Sequence, residues 1–229
     1  MTDSVRAWRQ IGDGPLARVA ATVHILLVVE VLLLLTAGPG LVGLVLLARD
    51  ASNLPLVALC AVPLGPAVSA ALYTLRHQRP DLTDLRPAAV FRRGWRVNLV
   101  PVLRVWLPLL LWLTIVGVNL AHFTAAGLPG WWAVLLVGVA GAVTLVGTNA
   151  LVIASVFTFR TRDVVRLAVY FLVRTPGVAL GHVCLLALAA GVVAVTSEAV
   201  LALLGVGFVL LLGRFSGPMT DRIEEEFTR

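Results

Sequence analysis

The sequence contains no lysine, and charged residues of all kinds occupy only 13% of its 229 positions. Soluble domains carry about a quarter of their residues as charges, so a soluble fold is excluded. Cysteine is scarce as well. Cys60 and Cys184 stand far apart in apolar stretches with no CxxC spacing, which argues against a disulfide framework or a cysteine metal site. Both read as small hydrophobes. No HExxH, GxSxG or Walker-type loop occurs, so no catalytic residue, metal or cofactor is expected, and Asp81 and Asp84 read as solvated loop carboxylates. Glu224, Glu225 and Arg229 satisfy the EExxxR pattern of glutamate-dependent intramembrane proteases. They stand on a polar chain end without a companion histidine motif and read as a coincidence within a solvated charge run.

What is present is apolar: 59% of residues are hydrophobic and mean hydropathy is +0.97. At about 20 residues per crossing the chain has room for roughly five to seven spans. The expectation is an all-α, polytopic transmembrane bundle of about six helices, forming one membrane domain over 1–229. Span one runs from Leu16 to Thr36, and Gly38-Pro39-Gly40 breaks it before a short apolar piece, Leu41 to Ala48. Span two covers Leu54 to Leu75 with a kink expected at Pro66. Spans three to five cover Val97 to Leu120, Trp131 to Phe159 and Pro176 to Val195, and a short sixth covers Ala199 to Leu212. Residues 1–15 read as an interfacial arm, with Val5, Trp8 and Ile11 about a turn apart.

A net charge of +6 would suggest nucleic acid in a soluble protein, but its distribution points elsewhere. Of the 18 arginines, 16 fall in the N-terminal segment through Arg18, the loops 76–96 and 160–175, and the tail 214–229. The exceptions are Arg49, on the opposite side, and Arg104, inside span three. The positive-inside rule then places both termini in the cytoplasm, as an even number of spans requires. The partner implied is the bilayer, not nucleic acid. Trp131 and Trp132 begin span four at the outer interface.

Two arginine-ended segments look alike. Ala71-Leu72-Tyr73-Thr74-Leu75-Arg76 parallels Ser155-Val156-Phe157-Thr158-Phe159-Arg160, and Ala89-Val90-Phe91 parallels Ala168-Val169-Tyr170. Either a duplicated helical hairpin in parallel orientation or the positive-inside rule alone produces this pattern.

The intramembrane polar candidates are His24, Glu30, Arg104, Asn149 and His182. A charge at the centre of a span costs about 2.5–3.5 kcal/mol, so each calls for a partner or water. At 1.5 Å per residue, His24, Arg104, Asn149 and His182 fall roughly 9–12 Å from the cytoplasmic ends, where they would form one polar layer, with Glu30 about two turns deeper. A relay opening to the cytoplasm competes with interhelical hydrogen bonding and a snorkelling Arg104. In Ala88 to Arg96, Phe91 and Trp95 lie four apart beside Arg92, Arg93 and Arg96. That pattern predicts a headgroup-layer helix touching lipid or a cytoplasmic partner. Trp106 and Trp112 either stack a sugar, face lipid or pack against neighbours.

The run Pro63-Leu64-Gly65-Pro66-Ala67, then Ala70-Ala71-Leu72 and Arg76, followed by Phe91-Arg92-Arg93-Gly94-Trp95-Arg96-Val97-Asn98, resembles the YesL-like family of small bacterial integral membrane proteins. The resemblance rests on Gly65, Pro66, Arg76, Phe91 and Asn98 and covers about a sixth of the chain. It implies the bacterial cytoplasmic membrane and a non-catalytic, accessory role beside oligosaccharide ABC transport, with ABC subunits as partners. The residues themselves leave two other readings open. One is a small stand-alone transporter or channel along His24, Glu30, Arg104 and His182, and the other is a membrane enzyme.

Overall fold

The computed structural model describes residues 15–48, 50–78, 85–123, 127 and 129–227. The arm over 1–14, Arg49, Arg79, Asp81, Asp84 and Arg229 lie outside the described residues. In chain order the helices are α1 (Pro15–Leu46), α2 (Leu54–Ala61, after a 3-10 turn at Ala51–Asn53), α3 (Leu64–His77), α4 (Pro87–Ala121), α5 (Trp131–Val156), α6 (Thr161–Arg174), α7 (Pro176–Val195), α8 (Glu198–Leu203) and α9 (Gly205–Phe227). Among the described residues there is no strand, and the architecture is an all-α bundle. Among the described residues five stretches are long and apolar enough to cross a membrane: Leu16–Leu46, Ala51–His77, Pro87–Ala121, Trp131–Val156 and Pro176–Val195. The expected sixth span is instead interrupted at Leu204, between α8 and α9.

Helix α1 runs straight through Gly38-Pro39-Gly40, where a break was expected. Pro39 withdraws one backbone donor, but an apolar environment offers no water to compensate a further unwinding, so the helix continues. The glycines serve packing. A Cβ at Gly40 would run into the Cys60 carbonyl, and one at Gly43 would lie 2.6 Å from Cys60 Sγ; here α1 and α2 touch closely, as small residues allow in membrane helices. Ala21, Ile25, Val29, Leu33 and Ala37, every fourth residue, form the buried stripe of α1, while Val19, Val23, Leu27, Val31 and Leu35 face outward. Such an apolar outer face suits lipid as solvent.

Span two breaks at Val62-Pro63, about one turn before the expected kink. Pro66 sits in the first turn of α3, where its missing N–H would have had no helical partner in any case. At the break the Ala61 carbonyl accepts a hydrogen bond from Trp106 Nε1 at 2.9 Å. Trp106 therefore seals a helix joint, while Trp112 points outward.

Two segments expected as loops are largely helical. Residues 87–96 are the opening turns of α4, a single 35-residue helix, and not a separate headgroup helix: Phe91 is buried and faces into the bundle. Residues 161–174 form α6, which buries Val164, Ala168 and Phe171 on one face. The expected solvated tail is the second half of α9, and Ser216, Met219, Thr220 and Ile223 are buried along one side of it. Arg76 at the end of α3 pairs with Glu224 at 3.0 Å, and Arg174 at the end of α6 approaches Glu226 to 4.0 Å. The three helix ends thus gather at one arginine-rich end. Much of the core lies toward that end: α5 is buried at Gly147 and from Asn149 to Ser155 and exposed over most of its first half, and α7 buries only Val178 and His182.

Candidate functional site

In an apolar medium a buried polar side chain must find a partner. Asn98 on α4 donates through Nδ2 to Ser69 Oγ on α3 at 3.1 Å and to the Ser155 carbonyl on α5 at 3.0 Å, joining three helices. Asn149 on α5 donates to the Ala168 carbonyl on α6 at 3.2 Å. His182 Nε2 on α7 lies 3.0 Å from Ser216 Oγ on α9. Glu30 on α1 accepts the Val206 N–H through Oε2 at 2.6 Å.

The Glu30 contact follows from the broken helix. The first amides of a helix have no internal acceptor, and they carry the positive end of its dipole. Where α9 begins within an apolar segment, a carboxylate from a neighbouring helix supplies that acceptor. Gly205 permits the approach, since a Cβ there would lie 3.0 Å from Leu33 Cδ2 and 3.5 Å from Glu30 Oε1.

The single polar layer does not assemble. His24 and Arg104 lie on exposed helix faces, whereas Asn149 and His182 are buried against different partners. Each bonded polar group ties its own set of helices. Glu30 Oε1, Asn149 Oδ1 and His182 Nδ1 nevertheless retain hydrogen-bonding capacity with no partner among the described residues.

The residues behind the family resemblance gather along α3 and α4. A Cβ at Gly65 would lie 2.6 Å from Trp106, and one at Gly94 would lie 2.8 Å from Tyr73. Pro66, Phe91 and Asn98 are buried, and Arg76 sits 6.0 Å over the Phe157 ring besides pairing with Glu224. Arg92, Arg93 and Arg96 are exposed, with Trp95 half-buried between them.

Sequence reasoning missed the inner face of α9. The spacing of Leu212, Ser216, Met219 and Ile223 is a helical stripe, hidden by the charges of Asp221, Arg222 and Glu224 to Glu226. A cavity of about 280 Å³ opens beside this face, bounded by α3, α5 and α9. Among the described residues no group of three His, Cys, Asp or Glu side chains is placed to hold a metal, and both cysteines are free. No family model, curated protein or solved structure matches this chain.

Proposed function

We propose that this multi-pass membrane protein is a non-catalytic accessory component of carbohydrate ABC transport in a bacterial cytoplasmic membrane, as the YesL-like resemblance implies. The observation that carries the reading is the use made of the resembling residues. Gly65, Phe91 and Asn98 form helix contacts, so the shared segment serves as a scaffold and presents Arg92, Arg93 and Arg96 outward at one end. Exposed arginines beside a membrane span suit a lipid headgroup layer or a cytoplasmic partner. Capture of the full-length tagged protein from cross-linked native membranes is expected to enrich sugar-transport subunits, and capture without them counts against the role.

The orientation proposed has both ends of the chain in the cytoplasm, with α8 and the first half of α9 together making the return crossing across the break at Leu204. Alkaline phosphatase fused after Arg229 is then expected to be inactive, while fusion at Gly130 is active. The reverse pattern overturns this orientation.

A second reading, a small stand-alone transporter, draws on the unpartnered atoms of Glu30, Asn149 and His182. It expects purified protein in liposomes to move solute by itself and Glu30→Gln to abolish that movement. Glutamine keeps an acceptor for Val206 N–H, so this substitution separates a transport role from helix capping.

A further inference from the structure

We propose that the groove between α3, α5 and α9 binds one anionic lipid, with an acyl chain along its walls and the phosphate at Arg214. Leu72 and Leu75 from α3, Val152 and Val156 from α5, and Val209 from α9 make the walls apolar. Arg76 and Arg214 also line the cavity. Glu224 compensates Arg76 at 3.0 Å, whereas Arg214 is exposed and has no acidic partner among the described residues. The groove therefore keeps one uncompensated positive charge beside apolar walls.

The rest of the wall is held in place. Ser216 Oγ is engaged by His182, and Thr220 Oγ1 donates to the Gly217 carbonyl at 2.9 Å. Gly213 keeps the passage open between α9 and α3, because a Cβ there would already touch Leu72 Cδ2 at 3.5 Å and any longer side chain would enter the groove. A volume of about 280 Å³ lies just below the usual range for pockets that hold whole ligands and suits a stretch of one chain. Basic pockets between membrane helices select anionic headgroups. A zwitterionic lipid would bring a cation toward Arg214, and a free anion would leave the apolar walls uncovered.

Native mass spectrometry of the full chain in detergent, with phosphatidylglycerol, phosphatidylcholine or inorganic phosphate added, tests the site. One phosphatidylglycerol is expected to be retained in preference to phosphatidylcholine. Arg214→Gln is expected to weaken retention about fivefold, the effect of one arginine near an anionic surface. Gly213→Leu, which fills the groove, is expected to abolish retention, and Gly213→Ala to leave it intact. Circular dichroism checks folding. If Gly213→Leu does not fold, the exposed Arg214→Gln still decides the matter. Equal retention of both lipids, retention unchanged in a folded Arg214→Gln, or inorganic phosphate displacing the lipid overturns the proposal.

Discussion

Helices α3 and α4 meet through glycines and an amide, whereas α5 and α6 meet through the apolar face of an amphipathic helix. In the first hairpin Gly65 admits Trp106, Gly94 admits Tyr73, and Asn98 bonds Ser69. In the second, Val164, Ala168 and Phe171 are buried, and Asn149 makes one bond to the Ala168 carbonyl. The first continues into its span as one helix. The second ends at Thr175, whose amide and hydroxyl both donate to the Phe171 carbonyl, and α7 begins at Pro176. A residue preceding proline is disfavoured in helical conformation, and α6 carries too much charge to enter the bilayer, so an elbow forms there. The matched sequence positions also differ in environment. Phe91 is buried where Tyr170 is exposed, and Ala168 is buried where Ala89 is exposed. Similar arginine-ended patterns thus accompany different packing registers.

Glycine substitutions give the largest expected contrast. Gly65→Val drives atoms into Trp106 and is expected to cost about 3 kcal/mol, while Gly177→Val, with open space around it, changes stability by less than about 0.5 kcal/mol. Thermal unfolding in detergent measures both, and equal losses would erase the distinction between the close α3–α4 contact at Gly65 and the open start of α7. Next come the amides. Asn98→Ala removes two bonds and leaves Ser155 O without that donor, for a loss of about 2 kcal/mol, against about 1 kcal/mol for Asn149→Ala. A larger loss at Asn149 would place the stronger polar tie in the second hairpin. The smallest contrast lies at the arginines. Arg76→Gln and Arg174→Gln are each expected to cost under about 1 kcal/mol, diminishing with added salt. Arg76 should matter more, since its ion pair is 3.0 Å against 4.0 Å for Arg174. A reversed order in a salt series would contradict the geometry.

Much of the site was legible as a list of residues and little of it as an arrangement. Glu30, Asn149 and His182 stand out because polar groups are costly in apolar helices, and each has a hydrogen-bonded contact. Their partners were not legible, since Val206 N–H, Ala168 O and Ser216 Oγ come from distant chain positions. His24 and Arg104 share a similar expected depth with Asn149 and His182 but lie on exposed faces. Counting along a helix yields depth, whereas the neighbours decide which way a side chain faces. The α9 tail was misread for a related reason: charges at Asp221, Arg222 and Glu224 to Glu226 dominate its average, although Met219 and Ile223 are fully buried.

Composition by itself determined that this chain is helical and built for lipid, because apolar runs of span length in which every backbone polar group must be satisfied leave the helix as their natural form. Tertiary structure decided the rest. Gly-Pro-Gly in α1 became a contact and not an end, Trp106 took the carbonyl freed at the joint of α2 and α3, and Glu30 became the acceptor that lets a helix begin at Gly205. Those outcomes depend on which helix lies alongside, and contacts between residues far apart in the chain are absent from local pattern and hydropathy.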